Sequence, residues 1–534
     1  VIGAVAMLAA PVTDPITAPV VDLTAVMPIM IVLGAAAVGV VVEAAVPRRG
    51  RYPTQLVLTA GAIIAAGVWT AVYGVQGHYA LTFNGAVAVD AGTYVMWGVL
   101  LSLALVAVAL MADRVTEPGG VFAAQAAARI GSSRDRLATE VATPMQTEVF
   151  PLVLFAVGGM LVFPAASDLL TLFVALEVLS LPLYLMCGLA RRRRLISQEA
   201  AVKYFLLGAF TSAILLYGIA LLYGYAGSIR FSAISQASQT ASGSDGVLLI
   251  GIALLTVGLL FKASVGPFHL WTPDVYQGAP TPVTAFMAAC TKVAAFAAML
   301  RVFLSALQPM AWSWKPVLEI VAALSMFIGA ILGITQTDVK RMLAYSSVAH
   351  AGFLLLGVLA LSSQGASATM FYLFTYGIAT IGAFALLTLV RRGDNEASHL
   401  SDWAGLGKRS PLLAGLMSFF LLSFAGIPLT AGFIGKLTVF SAAMDAGMGW
   451  LVVVALVASA IAAFFYLRVV VLMYFADGPA GRTEPDGSDG STYIVVPGIL
   501  TTLVVAVTAA LTLLLGIIPS PALDLLSFQI PLLS

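Results

Sequence analysis

Runs of about twenty apolar residues recur along the whole chain, each long enough to cross the hydrocarbon core of a bilayer as an α-helix. A water-soluble domain of 534 residues could not be 60% hydrophobic and 10% charged and still cover its surface with polar groups. The spans lie near 25–46, 54–75, 91–112, 149–164, 168–190, 197–224, 247–270, 282–304, 316–336, 341–361, 367–390, 411–445, 449–475 and 494–517, about fourteen in all. The expected fold class is an all-α polytopic membrane protein, with the lipid bilayer as its solvent.

Basic residues set the orientation. Arg48, Arg49 and Arg51 follow the first span, and Arg114, Arg129, Arg134 and Arg136 follow the third. Arg191 to Arg194 follow the fifth, Lys340 and Arg341 the ninth, Arg391, Arg392, Lys408 and Arg409 the eleventh, and Arg482 the thirteenth. All of these fall on one side, while the opposite loops hold little beyond Arg230, Arg301 and Lys315. The positive-inside rule makes the rich side cytoplasmic and puts both termini outside. The expected location is a bacterial plasma membrane. No Lys or Arg precedes Arg48, so a charged secretory-signal start is not expected.

Two spans are interrupted, by Gly266–Pro267 and by Gly426–Ile427–Pro428, and each carries a lysine nearby, Lys262 and Lys436. Interrupted helices at corresponding places in two halves point to a transport site. Five spans per half make the second repeat inverted. The expected division is 1–148, an N-terminal three-helix segment and cytoplasmic loop; 149–304, the first repeat; 305–476, the second, inverted repeat; and 477–534, a loop and last helix. Two loops are polar and Gly/Ser-rich. The outer one, 224–246, is expected to be flexible or a small hairpin, and the acidic one, 477–491, to be mobile.

Lys262, Lys292, Lys436 and Glu177 lie inside spans, where a charge costs roughly 2.5–3.5 kcal/mol on insertion scales. Backbone freed at a break cannot face lipid, so the breaks and the lysines beside them must face protein or water. Desolvation disfavours a buried ammonium and a nearby carboxylate favours it, so a lysine held between the two can load and release a proton. Glu177 is the natural partner for Lys262, and Lys203, near the start of the sixth span, is placed to sit between them. His269 suits a proton relay. The plainer alternatives are a structural Lys–Glu pair, snorkelling of Lys203 to the headgroups, and a satisfied polar role for His269.

The net charge of +1 gives no reason to expect a nucleic-acid partner. Cys187 and Cys290 form no C-x-x-C pair and read as packing residues. The four histidines have no metal-ligand spacing, and no Gly-rich phosphate loop is present.

The segment Phe261–Phe286, which holds Lys262, Gly266, Pro267 and His269, resembles the signature of the antiporter-like subunits of respiratory complex I, the proton-translocating NADH:quinone oxidoreductase. Val339–Gly352 is similar to that family's second signature, and the likeness runs from about 149 to 475. It implies a mid-membrane polar chain in which Glu177 and Lys262 form a switch. Lys203, Lys292 and His269 would extend the chain, and Lys436 would stand near an exit. It also implies hetero-oligomeric partners, the other membrane subunits of that complex. No cofactor is expected in this chain, with FMN, iron–sulfur clusters and quinone in partner subunits. Among family members, the largest ends in a long lateral helix and the middle one usually has a glutamate where this chain has Lys436. Multi-subunit Na⁺/H⁺ antiporters and membrane-bound hydrogenases carry similar signatures and remain the alternatives, together with a purely structural spacer.

Overall fold

The computed structural model describes residues 21–117, 120–123, 146–240, 246–393, 395–477 and 492–530. The acidic stretch 478–491 and Arg129, Arg134, Arg136 and Arg482 therefore lie outside the described residues. The helices are α1 (Leu23–Ala45), α2 (Arg48–Gln76), α3 (Ala91–Met111), α4 (Val149–Ala165), α5 (Leu169–Cys187), α6 (Arg194–Ala226), α7 (Phe231–Thr240), α8 (Gly246–Lys262) and α9 (Trp271–Gly278). They continue as α10 (Thr281–Ser305), α11 (Ala311–Ile334), α12 (Val339–Leu359), α13 (Ser363–Leu387), α14 (Pro411–Ala425), α15 (Ala431–Asp445), α16 (Gly449–Phe475) and α17 (Ile499–Ile517). Among the described residues, eleven helices are long and apolar enough to cross a membrane, and α4, α8 and α14 are shorter apolar helices. Each expected span is occupied, and the seventh and twelfth are the broken pairs α8–α9 and α14–α15.

Aspartates start several of these helices. Asp168 accepts a hydrogen bond from the Thr171 N–H at 2.7 Å, and Asp338 one from the Arg341 N–H at 3.0 Å, each satisfying a donor that the first turn leaves free. The core is helical throughout: α10, α12 and α13 are almost wholly enclosed by protein, whereas α2, α6 and α16 present Val, Leu and Phe outward, as lipid-facing helices do. Small residues let helices approach closely. A Cβ on Gly329 of α11 would come within 2.3 Å of the Ala349 nitrogen on α12.

Among the described residues, strands occur only in connections. β1 (Ala80–Thr82) and β2 (Val87–Val89) form a hairpin between α2 and α3. β3 (Val390–Arg392), β4 (Asn395–Glu396) and β5 (Thr492–Ile494) make a small sheet in the order β4-β3-β5.

The loops grouped by basic residues do meet at one end. Lys340 pairs with Glu396 at 2.6 Å, Arg391 and Arg192 share Glu117 at 3.0 and 3.1 Å, and Arg392 pairs with Asp402 at 3.0 Å. At the other end His78 pairs with Asp22 at 2.9 Å, and Arg230 donates to the Asn84 carbonyl at 2.7 Å.

Two local expectations need correction. Residues 231–240, expected as flexible loop or hairpin, form α7, because Phe231 and Ile234 recur at helical spacing and bury against the bundle. Arg301, grouped with the outer loops, lies in the last turns of α10 and is 0% exposed.

Candidate functional site

The first break follows Lys262, the last residue of α8, and the chain resumes helix at Trp271. Its freed backbone is met by protein: the Gly266 N–H donates to Ser325 Oγ at 2.9 Å, and Trp271 Nε1–H donates to the Phe261 carbonyl at 2.9 Å. Lys262 is buried and donates to Ser180 Oγ at 2.8 Å and to the Tyr204 hydroxyl at 3.2 Å. Glu177 lies three residues before Ser180 on α5, so the two share a face. Its Oε1 is buried with no hydrogen-bond partner among the described residues. The carboxylate thus stands one helical turn from the group that holds Lys262, with Ser180 rather than Glu177 as the direct contact.

Lys292 sits on α10 immediately after a π-helical turn, Met287–Thr291, a feature that often re-aims a side chain at functional sites. Its ammonium donates to the Ala263 carbonyl at 3.1 Å and to the Ser347 carbonyl at 2.9 Å. The first of these belongs to the residue after Lys262, so two lysines meet at one break. Lys436, on α15, serves the second break in the same way. It donates to the Phe424 and Ala425 carbonyls at 2.9 and 3.0 Å, the last carbonyls of α14, and to Ser459 Oγ at 2.8 Å. A cation at a helix C-terminus meets the negative end of the helix dipole. No side chain could replace hydrogen at Gly432, where a Cβ would lie 2.0 Å from the Ser423 carbonyl.

His350, on α12, lies between the two centres, and the residue pattern alone does not single it out. It is 2% exposed, with Nδ1 2.7 Å from the Tyr372 hydroxyl and Nε2 3.3 Å from that of Tyr466. Tyr466 also bonds Ser346, and the Tyr276 hydroxyl lies 3.3 Å from Ser347 Oγ. Ser346, Ser347 and His350 share a face of α12. Polar groups therefore run from Lys262 past Lys292 and Ser347 to His350, and on towards Lys436. The available signal was position: His350 lies inside the Val339–Gly352 signature, in a span otherwise apolar through its second half.

Lys203 and His269 stand apart from that line. Lys203, with its side chain 43% exposed, pairs with Asp274 and Glu199, each at 2.7 Å, and so does not bridge Glu177 and Lys262. Asp274 also holds Arg341 at 2.6 Å. The half-exposed lysine finds carboxylates at the basic end of the molecule, which costs less than desolvation beside Lys262. His269 is buried against Tyr345, and its Nδ1 has no partner among the described residues. No group of three or more His, Cys, Asp or Glu able to hold a metal occurs among the described residues.

Two broken helices, with lysines on their exposed carbonyls and a buried polar line between them, define a membrane protein of the antiporter-like class. Residues 166–462 match the family described as NADH:quinone oxidoreductase/Mrp antiporter, TM. The chain is 58% identical over 509 residues to NADH-quinone oxidoreductase subunit N of Saccharopolyspora erythraea, covering 95% of this chain and 97% of that one. The same subunit of Salinispora arenicola is 54% identical over 514 residues, covering 95% and 97%. A chain in the structure of respiratory complex I from Thermus thermophilus with bound aureothin matches with a TM-score of 0.74 and 34% identity, over 94% of this chain and 99% of that one. A chain of the Mrp complex from Dietzia shares the fold, with a TM-score of 0.76 at 23% identity over 95% and 96% of the two chains. The chain belongs to the NADH-quinone oxidoreductase subunit N family.

Proposed function

We propose that this chain translocates protons as a membrane subunit of a bacterial NADH:quinone oxidoreductase, through a buried relay running Glu177–Lys262–Lys292–His350–Lys436. Lys203 and His269 flank this line, Lys203 at the basic end and His269 at the first break. The observation that carries the reading is the set of buried lysines, hydroxyls and one imidazole lying between the two helix breaks. Flavin, iron–sulfur and quinone chemistry belongs to partner subunits, and this chain contributes the proton path. Charge changes near Glu177 shift the proton affinity of Lys262, and the displaced proton moves on to Lys292, one of whose carbonyl acceptors, that of Ala263, adjoins it. Moving one charge against 100 mV takes about 2.3 kcal/mol, within reach of one or two such electrostatic steps. The direction is from the arginine-rich side, taken as cytoplasmic, to the outside, with both termini outside. The four-part division at 148, 304 and 476 places one break in each inverted repeat.

The test is NADH-driven proton transport in inverted vesicles holding the whole assembled complex. Lys262→Ala is expected to lose pumping with assembly intact, and Lys315→Ala, at the start of α11, to keep it. Full pumping by Lys262→Ala would return the lysine to a structural role.

A further inference from the structure

We infer that the oxygen set at the second helix break is a seat for a monovalent cation, and that the Lys436 ammonium fills it as a tethered ion and so keeps Na⁺ and K⁺ out of the line. The inference rests on the relay reading only in naming what selects the transported ion, and the seat itself stands on the geometry of the break.

The seat exists because of a proline. In an α-helix each carbonyl accepts from the N–H four residues on. For Phe424 that residue is Pro428, which has no N–H to give. For Ala425 it is Leu429, which the break carries into the left-handed region at φ 71°. Both carbonyls are left to Lys436 Nζ, at 2.9 and 3.0 Å, and Ser459 Oγ supplies a third oxygen at 2.8 Å. The Phe353 ring closes a further side, with its centroid 5.0 Å from the ammonium, a distance at which an aromatic face attracts a cation. Gly426, at φ 84°, makes room for the lysine stem: a Cβ there would lie 3.1 Å from Lys436 Cδ.

The first break repeats the device. Were the helix to run on, the Ala263 carbonyl would be met by residue 267, again a proline, and Lys292 of another helix donates to it at 3.1 Å. Lys292 has two carbonyl oxygens there, against the three oxygens around Lys436, so the second seat is the more complete.

Uncharged carbonyl and hydroxyl oxygens suit a singly charged ion. Mg²⁺ and Ca²⁺ sites draw on carboxylates, and the three oxygens around Lys436 include none. Carbonyl ends of broken helices coordinate Na⁺ in transporters, and rings of carbonyls hold K⁺ in channels. An ammonium bonded to all three oxygens takes the ligands an alkali ion would need and repels any second cation beside it.

The test uses the whole purified complex. Equilibrium binding of radioactive Na⁺ and of Rb⁺, standing in for K⁺, is measured in choline chloride for wild type, Lys436→Ala and Lys436→Ala with Ser459→Ala. The expected result is one more ion per complex for Lys436→Ala than for wild type, with at least one of the two probes. Adding Ser459→Ala should weaken that binding on the order of tenfold, the share of one contact to a charged group. No additional ion in an assembled Lys436→Ala complex overturns the seat, and so does an additional ion that ignores Ser459→Ala. If truncation prevents assembly, Lys436→Met keeps the packed stem, vacates the same seat and is judged by the same two criteria. NADH-driven proton transport by the same variant reports separately on the relay: normal pumping with the extra ion bound removes Lys436 from the relay and leaves the seat in place.

Discussion

Asp90 and Arg301, 211 residues apart, meet in a two-pronged ion pair, with Nη1 2.7 Å from one carboxylate oxygen and Nη2 2.9 Å from the other. The arginine is 0% exposed and also donates to the Pro164 carbonyl at 3.0 Å, so one side chain pins the start of α3, the end of α4 and the end of α10.

Removing one partner of such a pair strands a buried charge, at a cost of about 3–5 kcal/mol. Arg301→Leu is therefore expected to cut the amount of assembled complex sharply. Adding Asp90→Asn should recover much of it, since the stranded charge is then gone. Native gels of solubilised membranes check both, and a double variant no better than the single would refute the account.

A positioned proton-transfer group is worth about 10²–10⁴-fold in rate. His350→Leu should accordingly bring NADH-driven pumping down to the level of Lys292→Ala, while electron transfer in uncoupled vesicles continues. Pumping at the wild-type level would mean that Lys292 and Lys436 communicate without the imidazole.

The second break depends on the absence of a side chain at Gly432. Gly432→Val forces α15 away from the Ser423 carbonyl, an overpacking cost of about 1–3 kcal/mol or more, and draws the Lys436 ammonium off its carbonyls. Loss of pumping with a lowered melting temperature is expected, whereas Gly449→Ala, whose nearest neighbour would be the flexible Met444 side chain at 3.5 Å, should leave both unchanged.

Glu396, in β4, ties the N-terminus of α12 to that of α10 by accepting from Lys340 and Thr281. Burial pushes its carboxyl up, but the Lys340 ammonium and the Arg391 guanidinium outweigh burial and hold it below the usual carboxylate range. A lowered folded-state value means the stabilisation is fully present above the unfolded value of about 4.3 and is lost as pH falls through the folded one. The melting-temperature gap between wild-type complex and Glu396→Gln should stay constant from pH 7 to about 5 and close at lower pH. A gap that persists in acid would show that the ionised carboxylate is not its source.

What the sequence by itself determined was the one-dimensional part: the spans, the two breaks, and the presence of Lys262, Lys292 and Lys436 inside apolar helices. Hydropathy and helix-breaking residues act locally, so their positions can be read without knowing what packs where. Even the shared end of the basic loops followed from counting crossings. Only the tertiary structure decided which buried groups meet. Helix rotation and packing turned Lys203 to Asp274, gave Lys262 Ser180 as its direct contact on α5, enclosed Arg301 with Asp90, and brought His350 between Tyr372 and Tyr466. A buried polar group takes the partner that packing brings within about 3 Å, because leaving it unpaired costs more than most single contacts contribute.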